Sequence, residues 1–175
     1  MVQLIKWIDR KFEFDFPESE FPAIICRLAG TPVRLEELAG SLSKNELTKK
    51  FNKSWSVQEH IGHLLDLEEL HSKRLQEYID RAEELTAADM TNRKTYEANH
   101  NSKDISDILK KFREVRMEYV TVLDKLDEDT ISHYAYHPRL KQPMRMIDNA
   151  FFAAEHDDHH IAIMRTLISG FKDKK

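Results

Sequence analysis

Between Ser102 and Leu126 the residues Ile105, Ile108, Phe112, Val115, Tyr119, Val122 and Leu126 recur at intervals of three or four. A helix turns once per 3.6 residues, so this spacing lines one face. An apolar face of that length has to be covered by other helices. The stretch, capped by Ser102, therefore reads as one member of a helical bundle. Only 4 Gly and 5 Pro occur in the 175 residues, and they stand apart. A strand-rich chain needs many more turn residues, so the fold class expected is all-α.

Further helices follow from local signals. A first is expected from about Glu18 to Ser41, ended by Gly40. Gly30-Thr31-Pro32 interrupts it with either a kink or a fresh start, because Thr31 can cap and Pro32 can be the first helical residue. Ser43–Leu47 suggests a short helical turn. Ser56 followed by Glu59 is a capping box and opens a second long helix to about Leu85. Thr86–Asn101 and Ser132–Pro143 read as loops, the latter carrying Pro138 and Pro143. A fourth helix is expected from about Met144 to Ser169, ending before Gly170. Residues 1–17, with Trp7, Phe12, Phe14 and Phe16 among charges, read as an extended arm laid across the rest. The whole is a four-helix bundle, taken as a single domain over 1–175.

Charge and cysteine usage exclude several classes. Lys plus Arg is 27 against 31 Asp plus Glu, a formal charge of −4. That total provides no basic footprint, so no nucleic-acid partner is expected. The single cysteine, Cys26, forms no internal disulfide and reads as a core residue in a reducing compartment. The opening MVQLIKWIDRKFEF is too polar for a signal peptide, and no apolar run nears the ~20 residues of a membrane span. A cytoplasmic protein without a membrane partner is expected.

The chemistry lies in the histidines. Of the 9, three fall in one window, His60, His63 and His71, and three in another, His156, His159 and His160. Neutral imidazole is the commonest ligand for a divalent transition metal. His156 and His160 are four apart, which places them on one helix face, one turn apart. His159 points further toward solvent. A histidine from the second helix would complete three ligands, leaving coordination open for water or substrate as in catalytic zinc sites. Periodicity alone allows either His60 or His63. Asp157 falls in the apolar stripe of the fourth helix, where a carboxylate needs a partner. It can pair with His60 or His71 and, like His60, support a ligand from behind. Glu68, Glu69, Glu155 and Asp158 read as solvated face charges, and Trp55 as a packing anchor. Gly-rich phosphate loops, H-E-x-x-H, G-x-S-x-G and C-x-x-C are absent from the sequence.

The segment W-S-V-Q-E-H-I-G-H-L-L-D-L-E (Trp55–Glu68) resembles the signature of the DinB/YfiT-like superfamily, and E-H-D-D-H-H (Glu155–His160) resembles its second motif, which carries His-x-x-x-His. L-A-G-T-P-V-R-L-E-E-L (Leu28–Leu38) and H-P-R-L-K-Q-P-M (His137–Met144) are similar to stretches of one branch. The likeness runs from about residue 20 to 168. It implies an up-down-down-up four-helix bundle, often a homodimer, with a three-histidine site for Zn²⁺, Ni²⁺ or a similar ion. Matched residue by residue, the ligands implied are His63, His156 and His160. The activities implied are metal-dependent S-transfer with a low-molecular-weight thiol such as bacillithiol or mycothiol, a thiol-dependent isomerisation, or hydrolysis, each on a small-molecule substrate. A three-histidine metal can activate either water or a thiol. Thiol transfer is favoured slightly because no Glu stands at a fixed helical offset to serve as base, though Asp66, Glu59 and Glu155 are nearby in sequence. The alternatives are a non-catalytic, stress-related metal-binding dimer, marked by a fourth ligand such as His60 or His137, and a bundle whose histidines only pack.

Overall fold

The computed structural model describes residues 4–52 and 54–172. In chain order its elements are α1 (Phe21–Gly40), α2 (Lys44–Leu47), α3 (Val57–Ile79), α4 (Arg93–Glu97), α5 (Ile105–Leu123), α6 (Glu128–Ser132), β1 (Tyr134–His137), β2 (Gln142–Arg145) and α7 (Met146–Lys172). Single 3-10 turns lie at Trp7–Asp9, Glu18–Glu20 and His100–Ser102. The long helices α1, α3, α5 and α7 form the expected four-helix bundle.

Named contacts fix its topology. Gln58, opening α3, donates to Lys103 O just ahead of α5, and Glu68 meets Arg116 further on, so α3 and α5 run parallel. Glu18 pairs with Arg145 ahead of α1 and α7, and Arg34 with Asp158 beyond, so these two are also parallel. His60 meets His160 while Tyr78 reaches Met144 O, which makes α3 and α7 antiparallel. The directions are up, down, down, up. α1 packs on α5 and α7, α3 packs on the same two, and α1 lies across the diagonal from α3.

The capping box at Ser56 forms as its sequence requires, Ser56 accepting from the Glu59 N–H while Glu59 accepts from the Ser56 N–H. Other boundaries differ. α1 does not break at Pro32. A proline inside a helix leaves the carbonyl four residues earlier without its donor, and here Leu28 O accepts from Arg116 Nη1 instead. α3 stops at Ile79, not near Leu85. Arg81 takes the left-handed conformation (φ 60°), and the Ala82 N–H turns back to Glu77 O, a helix-ending motif usually marked by glycine. α5 is capped by Asp104, which accepts from the Ser106 N–H at 2.8 Å, while Ser102 sits in the preceding 3-10 turn. α7 runs through Gly170 to Lys172.

The segments read as loops hold structure. Residues 86–101 contain α4 and the start of the turn at His100. Residues 134–145 form an antiparallel hairpin with Tyr134 opposite Arg145 and His137 opposite Gln142. The N-terminal arm lies along α7: Phe16 meets Phe151, Phe12 and Trp7 meet Phe152, and Arg10 pairs with Glu155. Residues 1–3 of the expected arm lie outside the described residues.

Two apolar clusters make the core. One gathers Phe21, Leu28, Leu75, Leu123 and Ile147; the other Leu35, Ile61, Leu64, Phe112 and Met164. Each long helix contributes a buried residue to one polar layer, Thr31, Glu68, Arg116 and Asp157, none more than 3% exposed. Arg116 pairs with both Glu68 and Asp157, and the Thr31 hydroxyl donates to Asp157 at 2.8 Å. This corrects three expectations. Glu68 is buried, not solvated. Asp157 pairs with Arg116, not with His60 or His71. The buried face of α5 includes Arg116, Val120 and Leu123, while Val122, counted in its apolar stripe, is 40% exposed. A charge is tolerated inside when its partners are there too, which a hydropathy pattern does not register. Cys26 is exposed, not in the core. Among the described residues no helix is long and apolar enough to cross a membrane.

Candidate metal centre

His63 stands in the second turn of α3, just past the Ser56 cap. His156 and His160 stand one turn apart on α7. The antiparallel packing of α3 on α7 brings one ring nitrogen from each of the three within 4.8 Å of the others. His156 Nε2 and His160 Nε2 face one another at 3.1 Å. Two imidazoles bound tetrahedrally at zinc-like bond lengths would sit about 3.3 Å apart, so little adjustment separates this pair from a chelating one. His156 Nδ1 is buried and has no hydrogen-bond partner.

The rings are held from behind. His63 Nδ1 lies 3.0 Å from Thr95 Oγ1. The Thr95 hydroxyl also lowers the pKa of the Asp66 carboxylate. A hydroxyl whose proton serves Asp66 accepts from His63, the tautomer that carries the proton on Nδ1 and leaves the Nε2 lone pair for a metal. Asp66 also accepts from His100 Nε2 at 2.8 Å. Burial pushes Asp66 up, but His100, Thr95 and Lys94 together bring it below the usual carboxylate range. Gly62 makes this possible: a methyl group on its backbone would overlap the His100 ring. His160 Nδ1 is 2.8 Å from His60 Nδ1, so His60 backs His160 and lies outside the cluster of three. Thr95 and His100 escaped the sequence reading because their segment has no periodicity.

Electrostatics favour the ligand form of each ring. Burial pushes His63 and His60 down to about 4, and pushes His156 and His160 well below the usual histidine range, with neighbouring histidines adding to it. All four are neutral at pH 7, as metal binding requires. An open divalent-ion site suits this set of three uncharged imidazoles.

A cavity of about 260 Å³ opens beside the three histidines. Trp7, Trp55, Leu67, Leu70 and Phe152 give it apolar walls, so the arm closes part of the site. Trp55 lies 4.7 Å from the His63 ring, a wall of the site as well as a packing anchor. His159, expected toward solvent, is 7% exposed and lies against Trp7. His71 is buried beside Tyr119. The three carboxylates near the ligands in sequence are engaged elsewhere: Asp66 with His100, Glu59 with Lys50 and its cap, Glu155 with Arg10 and Arg27. Asp158 is likewise half-buried between Arg27 and Arg34, whereas Glu69 stays exposed beside Lys94.

A family model described as the DinB superfamily matches residues 27–164. No curated protein matches. Among solved structures, YfiT from Bacillus subtilis, described as a probable metal-dependent hydrolase with an unusual four-helix bundle topology, superposes with a TM-score of 0.81 at 18% identity, over 93% of this chain and 94% of that one. The mycothiol-dependent maleylpyruvate isomerase superposes with a TM-score of 0.66 at 11% identity, over 85% of this chain and 60% of that one. At these identities the likeness establishes the fold.

Proposed function

The chain belongs to the DinB superfamily, and from that membership we propose that it is a metal-dependent enzyme in which His63, His156 and His160 hold one divalent ion, zinc or nickel. The observation that carries this reading is the convergence of three imidazole nitrogens, each ring neutral through burial, beside an apolar-walled cavity. When bound, such an ion supplies Lewis acidity that lowers the pKa of a coordinated thiol or water. Thr95 and His60 keep the His63 and His160 rings oriented. Trp7, Trp55 and Phe152 exclude water and confine a small substrate.

Between the two chemistries, thiol activation is the better supported. Among the residues lining the cavity the one carboxylate is Asp89, exposed and bonded to Thr91 and Arg93, so no free carboxylate stands ready to take a proton from water. Cys26 does not line the cavity, so the thiol would arrive as a small-molecule substrate. The description of YfiT as a probable metal-dependent hydrolase fits the metal with either chemistry, and the mycothiol-dependence of the isomerase is in keeping with the thiol one.

The test is metal content by mass spectrometry on untagged protein, beside His63→Ala and His160→Ala. About one ion per chain is expected, lost in both variants with helicity kept. Mixing the loaded protein with an electrophile and bacillithiol, mycothiol or cysteine should consume free thiol, and a chelator should stop it. No metal after incubation with zinc or nickel would overturn the proposal. Metal-dependent turnover of ester probes without any thiol would overturn the preference for thiol chemistry.

A further inference from the structure

The cavity beside the three histidines is also lined by two arginines that make no ion pair among the described residues. Arg74 on α3 is 3% exposed. Its Nε donates to Thr86 O at 2.9 Å and its Nη1 lies 3.1 Å from His137 Nε2, while its Nη2 is buried with no partner. The carboxylate whose charge reaches it, Glu77, has its oxygens on the Thr86 N–H and hydroxyl. Arg139, at the tip of the hairpin, lies over the Trp7 and Phe152 rings and donates to Trp7 O at 3.3 Å. Neither arginine makes an ion pair among the described residues. Asn149 on α7, 2% exposed, has its Nδ2 buried and unpartnered. All three line the one cavity.

Buried charge is retained when it is paired. Here two guanidiniums repel each other across an apolar-walled space, and burial already holds both below the usual arginine range. His137, between them in effect, is pushed down to about 4 by burial and by the two arginines. The one carboxylate lining the cavity, Asp89, is exposed and has its oxygens on Thr91 and the Arg93 N–H, so neither arginine pairs with it, and the cavity lies beside the proposed ligands. We infer that Arg74, Asn149 and Arg139 form a carboxylate subsite, so that the substrate of this site is a small organic acid. The free Arg74 Nη2 and Asn149 Nδ2, with the Arg139 guanidinium, offer the N–H donors that the two oxygens of a carboxylate accept from. The apolar walls take the remainder of the molecule, and the acid group anchors it next to the metal position. This inference rests on the metal reading for the role of the neighbouring histidines, but not for the subsite itself.

The experiment is calorimetric titration of the full chain with 3-phenylpropionate and with its neutral amide, 3-phenylpropionamide, together with Arg74→Gln and Arg139→Gln. Metal content is measured on every sample, and circular dichroism checks the fold. The acid should bind about tenfold or more tightly than the amide, as expected for hydrogen bonds to a charged group, and each substitution should remove most of that preference. Arg139 is half-buried at a turn, so its variant keeps the test alive if the Arg74 variant does not fold. Equal binding of acid and amide would overturn the inference. So would a preference that survives both substitutions, since the acid would then sit on the metal; in that case unchanged metal content leaves the metal reading standing. An arginine-dependent preference in protein that carries no metal would uphold the subsite while the metal reading fails.

Discussion

Arg116 of α5 holds Glu68 of α3 through two parallel hydrogen bonds, Nε to Oε2 at 3.0 Å and Nη2 to Oε1 at 2.6 Å, with both side chains inside the bundle. The same guanidinium pairs with Asp157 of α7 and reaches the Leu28 carbonyl that Pro32 leaves without a donor. One residue thus bonds to all three of the other long helices.

Removing Arg116 leaves two buried carboxylates facing each other without a cation. Arg116→Leu should cost about 3–5 kcal/mol, the usual penalty for breaking a buried pair from one side, read as a lower midpoint in urea. Asp157→Asn, which keeps the Thr31 contact, should cost less and leave metal content unchanged. Loss of the ion in Asp157→Asn would show that this layer also governs the histidine site.

His60 and His63 separate by role. His63→Ala should abolish metal binding. His60→Ala should leave about one ion per chain with roughly 10–100-fold weaker affinity, the usual effect of removing a residue that orients a ligand. Competition with a chromogenic chelator measures both. Equal loss in the two variants would make His60 a fourth ligand and favour a structural metal.

Gly62→Ala is predicted to disturb the site without touching it. The added methyl group displaces His100, which unfastens Asp66, Thr95 and then the His63 ring. Weaker metal binding and a lower melting temperature should appear together. A variant with unchanged affinity would mean that Thr95 alone suffices to hold His63.

Acid should destabilise the metal-free protein in a defined window. His60 and His63 titrate near 6.5 when unfolded and about 4 when folded. The unfolded chain therefore binds more protons between those values, and stability falls as pH drops from about 6.5 to about 4. Above that window both states are neutral and the effect vanishes. Urea melts at pH 7.5, 6.0 and 5.0 should show the decline, and His60→Ala should flatten it.

The parts of this structure that announced themselves were those with a local signature. The Ser56–Glu59 box gave the start of α3, and the four-residue spacing of His156 and His160 put them on one face. The choice of His63 over His60 came only with the family motif, because two positions one turn apart share a face. Other features depend on distant residues. Arg116 lies on the buried face of α5 only because Glu68 and Asp157 are there to receive it. The hairpin at 134–145 has strands of four residues and a proline within β2, too short and too broken for an alternating pattern to show. Thr95 and His100 reach the site from a segment whose path is set by Gly62 making room.

The arm has one further consequence. Trp7 packs edge-on against His156, with ring centroids 4.8 Å apart, so this part of the arm is seated against the histidine cluster. Whatever is fused upstream of Trp7 is tethered within a few residues of that cluster. A polyhistidine purification tag placed there would bring its own imidazoles to the same ion, and a bulky fusion partner would crowd the entrance. The placement of a tag is thus a chemical variable for this protein, and its metal stoichiometry has meaning only when no such tag is attached ahead of Trp7.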